Sequence, residues 1–208
     1  MARRKSVYTV NYAIDMAIDA GNGTTCVVTE RTKPSIFPSV IQRVEDVRLA
    51  GRGTQGFTIH VERLNEQSGD WQDRKSWAIG DTAVLLPGLK TRITSRDRIG
   101  SEYQLVLILA GTVRALDAML DGTATEIRVS INWLLNTPPI YFRQAPALYE
   151  LAGGYRVEYN RKLYQINAEV GHVYPEGAGA GAGYKLDSNG RFINPAFATG
   201  HTGVVDGG

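Results

Sequence analysis

Cysteine is nearly absent from this sequence: Cys26 is the only one in 208 residues. A lone thiol builds no disulfide framework, which excludes the small disulfide-stapled secreted class and sets the expectation of a reducing, cytoplasmic compartment. Histidine is scarce as well. His60, His172 and His201 stand without metal-ligand spacing, so no histidine-built metal centre is expected. No apolar run is long enough to span a bilayer, and the amino terminus lacks the apolar core of a signal peptide. Neither sign of charge dominates. Lys+Arg 23 against Asp+Glu 21 argues against a broad nucleic-acid surface, and the basic start Ala2-Arg3-Arg4-Lys5 reads as part of a solvated tail over residues 1–12. No repeat occurs at solenoid periods. What remains is a chain with 43% hydrophobic residues, enough to bury the core of one good-sized domain.

The most informative stretch runs from Met16 to Val28. Two short apolar runs, Ala13 to Ile18 and Cys26 to Thr29, flank a turn rich in glycine and hydroxyl residues, the pattern of a hairpin. Gly21 and Gly23 permit close backbone approach. Successive N–H groups of Gly21, Asn22, Gly23, Thr24 and Thr25, with the two threonine hydroxyls, form a concave nest suited to an anion. Asp19, at the end of the first strand, would repel a phosphate directly. A hydrated divalent cation such as Mg²⁺ between carboxylate and phosphate removes that conflict. Taken alone, an Asp-x-Gly turn is also what an ordinary hairpin uses.

A second turn of the same kind stands at the end of the sequence, where Val204-Val205 delivers Asp206 into Gly207-Gly208. Between the two turns the chain alternates strands and helices. Arg31 to Pro38 reads as a breaker-rich link leading into a short edge strand near Val40. Phe57 to Val61 and Lys75 to Gly80 read as antiparallel partners around a polar loop, and Leu85 to Gly100 as a basic surface loop holding Lys90, Arg92, Arg96 and Arg98. A helix is predicted from Ser101, with Gln104 completing a capping box, a core stripe of Leu109, Val113, Leu116 and Leu120, and a stop at Gly122. Ile127 to Leu135 follows as a central strand, Tyr141 to Leu151 as a short helix that Pro146 kinks or starts, and Tyr155–Tyr159 with Leu163–Ala168 as a hairpin ahead of Val170 to Tyr174. Glu176 then opens a run of glycines and alanines, which read as a flexible linker or as a helix of small residues.

Two Asp-bearing turns at strand ends resemble the phosphate-1 and phosphate-2 loops of the actin-like ATPase superfamily. Asp19-x-Gly21, Phe37-Pro38-Ser39-Val40, Ile79-Gly80-Asp81-Thr82-Ala83, Pro175-Glu176 and Asp206-x-Gly208 occur in the order found in plasmid-segregation actins of the ParM or StbA type. The resemblance implies an α/β fold: an actin-like, ribonuclease-H-like domain with a mixed twisted sheet and flanking helices. It implies ATP with Mg²⁺ between the two turns, phosphates held by residues Gly21 to Thr25 with Gly207 and Gly208, and metal held through water by Asp19 and Asp206. Glu176 is implied as the residue that orients the attacking water, a task that suits a carboxylate at a strand end. Two departures stand out. Cys26 occupies a position where many actins carry a phosphate-reaching lysine, and Asn136-Thr137-Pro138 replaces a Gly-Leu-Pro-like turn.

The resemblance divides the chain into the tail 1–12, an actin-like amino-terminal domain over 13–183, and a connector with the first phosphate-2 strand over 184–208, so that the sequence is read as truncated at entry to a second domain. It implies self-association into filaments, a DNA-bound adaptor as further partner, and no membrane. Two other readings stay open at this level: a non-catalytic interaction protein on an actin-like fold, and a sugar-kinase-type member of the superfamily.

Overall fold

A computed structural model describes residues 6–21, 23–45, 56–88, 91–92, 99–120 and 124–175. In chain order the elements are β1 (Val7–Ala20), β2 (Thr24–Thr29), β3 (Thr32–Pro38), β4 (Val40–Val44), β5 (Phe57–Leu64), β6 (Trp71–Ile79), α1 (Asp81–Leu85) and β7 (Thr91–Arg92). They continue with α2 (Glu102–Met119), β8 (Glu126–Thr137), a 3-10 turn (Pro139–Gln144), α3 (Pro146–Tyr149), β9 (Gly153–Tyr159) and β10 (Lys162–Pro175).

The strands form one mixed sheet in the order β3-β2-β1-β8-β10-β9-β5-β6-β4-β7. Its middle is parallel, β1 beside β8 and β8 beside β10, and every other pairing is antiparallel. The expected α/β fold is therefore present, with some boundaries moved. Residues read as tail join the sheet from Val7, and Val7, Tyr8 and Thr9 pair with Glu126 to Arg128 before an irregularity ahead of Ala13. The link expected from Arg31 is a tight turn followed by strand β3. Pro34 and Pro38 are tolerated there because β3 borders the sheet. The amide of Ser39 donates to the carbonyl of Gly23 at 3.0 Å. By antiparallel alternation Pro34, Ile36 and Pro38 then turn their nitrogens away from β2, where no ladder donor is required. The hairpin strand expected to stop at Ala168 runs on to Pro175. A register shift between Val170 and His172 accommodates the extra residue. Gly171 leaves room there for the Asn132 side chain, whose Oδ1 would lie 2.1 Å from an added Cβ.

Helix α2 starts as expected: the Ser101 hydroxyl accepts from the amide of Gln104 at 3.1 Å. The reciprocal bond is displaced by one residue, because the Gln104 side chain accepts from Gly100. The single apolar stripe is where the structure differs most. All eight residues from Val106 to Val113 are buried, so the helix is enclosed rather than half-solvated. The reason lies in the sheet, which curls so that β1, β2, β3, β6 and β9 all pack on α2. Only Ser39 separates β3, at one border, from β4, next to last at the other. Edge-to-face pairs Phe37–Phe57 and Phe57–Tyr159, both at 5.3 Å between ring centroids, fill the space where the borders approach. Arg114 of α2 lies over both phenylalanine rings, 5.7 and 5.4 Å from their centroids.

Two polar ties anchor the helix in this shell. The Trp133 indole N–H donates to the Thr112 hydroxyl at 3.0 Å, and that hydroxyl donates to the Ile108 carbonyl at 2.8 Å. Near the other end, Asp117 accepts from Lys162 Nζ (2.7 Å), Asn160 Nδ2 (2.8 Å) and the Tyr164 hydroxyl (2.9 Å). Burial disfavours the Asp117 carboxylate, yet its three donors outweigh burial and hold the carboxyl below its ordinary range. Burial and the same carboxylate push the Tyr164 phenol far above its own.

The short helix expected after β8 begins as a 3-10 turn, and Pro146 is the first residue of α3 rather than a kink within one longer helix. Among the described residues no helix is long and apolar enough to cross a membrane.

Candidate functional site

β1, β8 and β10 run in the same direction, so their carboxyl ends emerge together, the usual place for a ligand in an open α/β sheet. The register aligns them: Ile18 lies beside Leu135, and Leu135 beside Val173. One residue further along stand Asp19, Asn136 and Tyr174, all on the face of the sheet away from α2. Pro175 then lies beside Thr137.

The Asp19 turn is a hairpin, as expected. Ala20 pairs with Thr25 and Asp19 with Cys26. The Asp19 carboxylate is exposed and enters no hydrogen bond or ion pair among the described residues. Gly21 is half-buried, while Gly23 is exposed with nothing within 4 Å of where its Cβ would be, which leaves open space at the turn. Thr24 is exposed. Thr25 points the other way: fully buried, its hydroxyl shares a 2.8 Å hydrogen bond with that of Ser39. Its side chain is thus turned into the core, so of the two threonine hydroxyls expected at an anion nest only that of Thr24 is at the surface. Burial, with the Asp19 charge second, raises the Cys26 thiol above its ordinary value.

Asn22, Glu176, Asp206, Gly207 and Gly208 lie outside the described residues, as does the basic run Lys90 with Arg96 and Arg98. Among the described residues no group of three or more His, Cys, Asp or Glu side chains is placed to hold a metal. A groove of about 560 Å³ lies far from the turn, near the starts of β8 and β10, lined by Thr58, His60, Glu126, Glu158 and Lys162 among others. Burial lowers the His60 imidazole, Glu158 and Glu62 oppose this, and Arg74 adds to it. That groove shares no residue with the Asp19 turn.

Sequence reading singled out two further motifs without giving them a task; folding brings the first to the turn and the second to the first. Phe37-Pro38-Ser39-Val40 makes the passage from β3 to β4, with Ser39 bonded to Thr25 and Gly23. Gly80, which precedes α1, donates its amide to the Val40 carbonyl at 2.8 Å and adopts φ 61°, a left-handed value that suits glycine.

A family model for the N-terminal domain of actin-like proteins matches residues 17–179. The chain belongs to that family. Solved structures of the same fold include the apo ParM protein of pSK41, at 14% identity and TM-score 0.59, covering 87% of this chain and 55% of that one. Bacillus thuringiensis ParM is similar in its apo form, at 15% identity and TM-score 0.60, covering 87% of this chain and 50% of that one. The same ParM with ATP matches at 13% identity and TM-score 0.54, covering 79% and 44%. This actin-like chain spans about half the length of the solved structures it matches. No curated protein matches the sequence.

Proposed function

We propose that this actin-like chain binds ATP with Mg²⁺ at the carboxyl ends of β1, β8 and β10, as part of a protein that couples ATP hydrolysis to filament assembly. The observation that carries the reading is the Asp19 turn itself. An uncommitted carboxylate and an open glycine turn stand at the end of the central parallel strands, in a chain of the actin-like family. A bound magnesium ion would neutralise phosphate charge beside Asp19, with water between ion and carboxylate. Backbone N–H groups from Gly21 to Thr24 would hold phosphate oxygens. Glu176, the residue after Pro175, would orient the attacking water, and Asp206, Gly207 and Gly208 would supply the opposite lip. Support also comes from the ParM structure that holds ATP, whose fold this chain shares.

A role in plasmid or DNA segregation, in the cytoplasm and through a DNA-bound adaptor, extends the same reading and rests on the likeness to ParM. The test is titration of a fluorescent ATP analogue with and without Mg²⁺, together with light scattering for polymers. Magnesium-dependent binding that Asp19→Asn weakens is the expected result. Absence of binding in the longest expressible form would leave a non-catalytic interaction protein as the better reading. Where turnover is measurable, Glu176→Ala should slow it by about a hundredfold or more while binding persists.

A further inference from the structure

We infer that Ser39 is a positioning residue that relays the state of the Gly21–Thr25 turn to the unit built from β4, β6 and α1. The inference rests on the nucleotide reading above for its ligand and on the following geometry for its path. Ser39 is fully buried and is the single residue between β3 and β4. It touches the turn twice: its hydroxyl meets that of Thr25 at 2.8 Å, and its amide donates to the Gly23 carbonyl at 3.0 Å. The next residue, Val40, accepts from Gly80 at 2.8 Å, and Gly80 in turn accepts from Val84 within α1 at 3.1 Å.

Little slack exists along this path. Pro38 fixes one backbone torsion immediately before Ser39. Beyond it, Gly56 packs so closely on α1 that a Cβ there would lie 2.0 Å from the Thr82 amide nitrogen. Thr82 and Ala83 are buried on that side, and Ala83 packs with Val40 and Ala78. A ligand that draws the N–H groups of the turn toward itself shifts the peptide units of Gly23 and Thr25, and must stretch the bonds to Ser39 or move Ser39 with the turn. Moving Ser39 moves Val40, and with it the seat of α1. Hydrogen-bond networks joined to packed elements are one route by which such coupling is carried. Val84 and Leu85, 42% and 66% exposed, lie on α1 and would register the shift at the surface.

Hydrogen exchange followed by mass spectrometry, with and without a saturating non-hydrolysable ATP analogue and Mg²⁺, tests the relay. In the wild-type chain the analogue should slow exchange in the peptide covering residues 21–25 and also in those covering residues 40–44 and 80–85. The second effect should be about fivefold or more, the lower end of what coupled sites show. In Ser39→Ala, which loses the hydroxyl bond to Thr25 but keeps the amide bond to Gly23, the turn should stay protected while β4 and α1 lose most of their ligand-induced protection. Thr25→Val, close to isosteric, removes the same bond from the other side and covers the case of a poorly folding Ser39 variant. Thr25→Ser, which keeps the hydroxyl, should restore the wild-type pattern. Protection of α1 that persists in both Ser39→Ala and Thr25→Val would overturn the relay and leave the nucleotide reading standing. So would wild-type protection confined to the turn. A Ser39 variant that loses protection at the turn itself would make Ser39 part of the binding site and also overturn the relay. No protection at the wild-type turn would overturn the nucleotide reading, and the relay with it.

Discussion

Asp19 and Cys26 are antiparallel partners across the first hairpin, so the chain's one thiol stands beside the carboxylate proposed to face the metal. Burial and then the Asp19 charge raise the thiol, which therefore stays protonated where an ordinary cysteine has begun to ionise. Alkylation by iodoacetamide should be slow near neutrality and keep rising with pH beyond about 8.5, where an ordinary thiol begins to level off. Asp19→Asn removes the nearby negative charge and should speed alkylation at fixed pH. The gain should be modest, since burial, which the substitution leaves in place, is the larger cause of the raised thiol. Labelling rates across pH check this, and an unchanged rate in Asp19→Asn would contradict the pairing.

The Asp117 cluster makes stability depend on acid. Its native carboxyl titrates below the ordinary value of about 3.9, so the unfolded chain takes up the proton first. The stabilisation is fully present above that ordinary value and is lost as the pH falls through the native one. Asp117→Asn should cost about 1–2 kcal/mol at neutral pH, since Lys162 and the Tyr164 hydroxyl lose a charged acceptor. The difference from wild type should shrink toward pH 3. Urea denaturation at a series of pH values measures both.

Gly111 marks the closest approach of α2 to the sheet. A Cβ at that position would lie 2.3 Å from Cγ2 of Val27, a fully buried residue of β2. Alanine favours helix over glycine by about 1 kcal/mol, yet Gly111→Ala should lower stability by about 1–2 kcal/mol through overpacking. Adding Val27→Ala should recover much of the loss, so that the two costs fail to add. Additive costs in a double-mutant cycle would show that the helix does not sit where it is described.

Thr112 carries the bond to the Trp133 indole deep in the core, where both residues are fully buried. Thr112→Val keeps the shape, removes the acceptor and leaves a buried N–H unpaired, at a cost of about 1–3 kcal/mol. Thr112→Ser should be milder because the oxygen remains. Denaturation midpoints, with near-ultraviolet dichroism to follow the tryptophan, separate the two.

Local signals in the sequence carried much of the fold. The Asp19 hairpin needed only two apolar runs and a glycine turn, the start of α2 only Ser101 and Gln104, and β8 only strict alternation. Where the reading fell short, tertiary context decided the outcome. Val7 to Tyr12 alternates but follows a cluster of basic residues, and its strand exists because β8 is there to pair with it. Pro34 argues against a strand unless that strand is known to be a border. The run Val106-Leu107-Ile108-Leu109-Ala110 was itself the mark of a helix enclosed on all sides, and picking one stripe from it discarded that information. In the site, Asp19 and the open turn were legible because they are local. The inward turn of Thr25 depends on Ser39, fourteen residues away, and no spacing rule predicts that bond. The motifs around Ser39 and Gly80 stand in family order in the sequence, but they meet because β4 pairs with β6, which sets Val40 opposite Gly80.

Enclosure of α2 also bears on how the polypeptide must be made. The strands that complete its coat, β8 to β10, are synthesised after it, so a growing chain that has passed Met119 carries an oily cylinder with one flank bare. An expression product that stops between Met119 and Glu126 lacks β8 to β10 and inherits that nakedness permanently, and insolubility of such a fragment would follow from topology, whatever nucleotide is supplied.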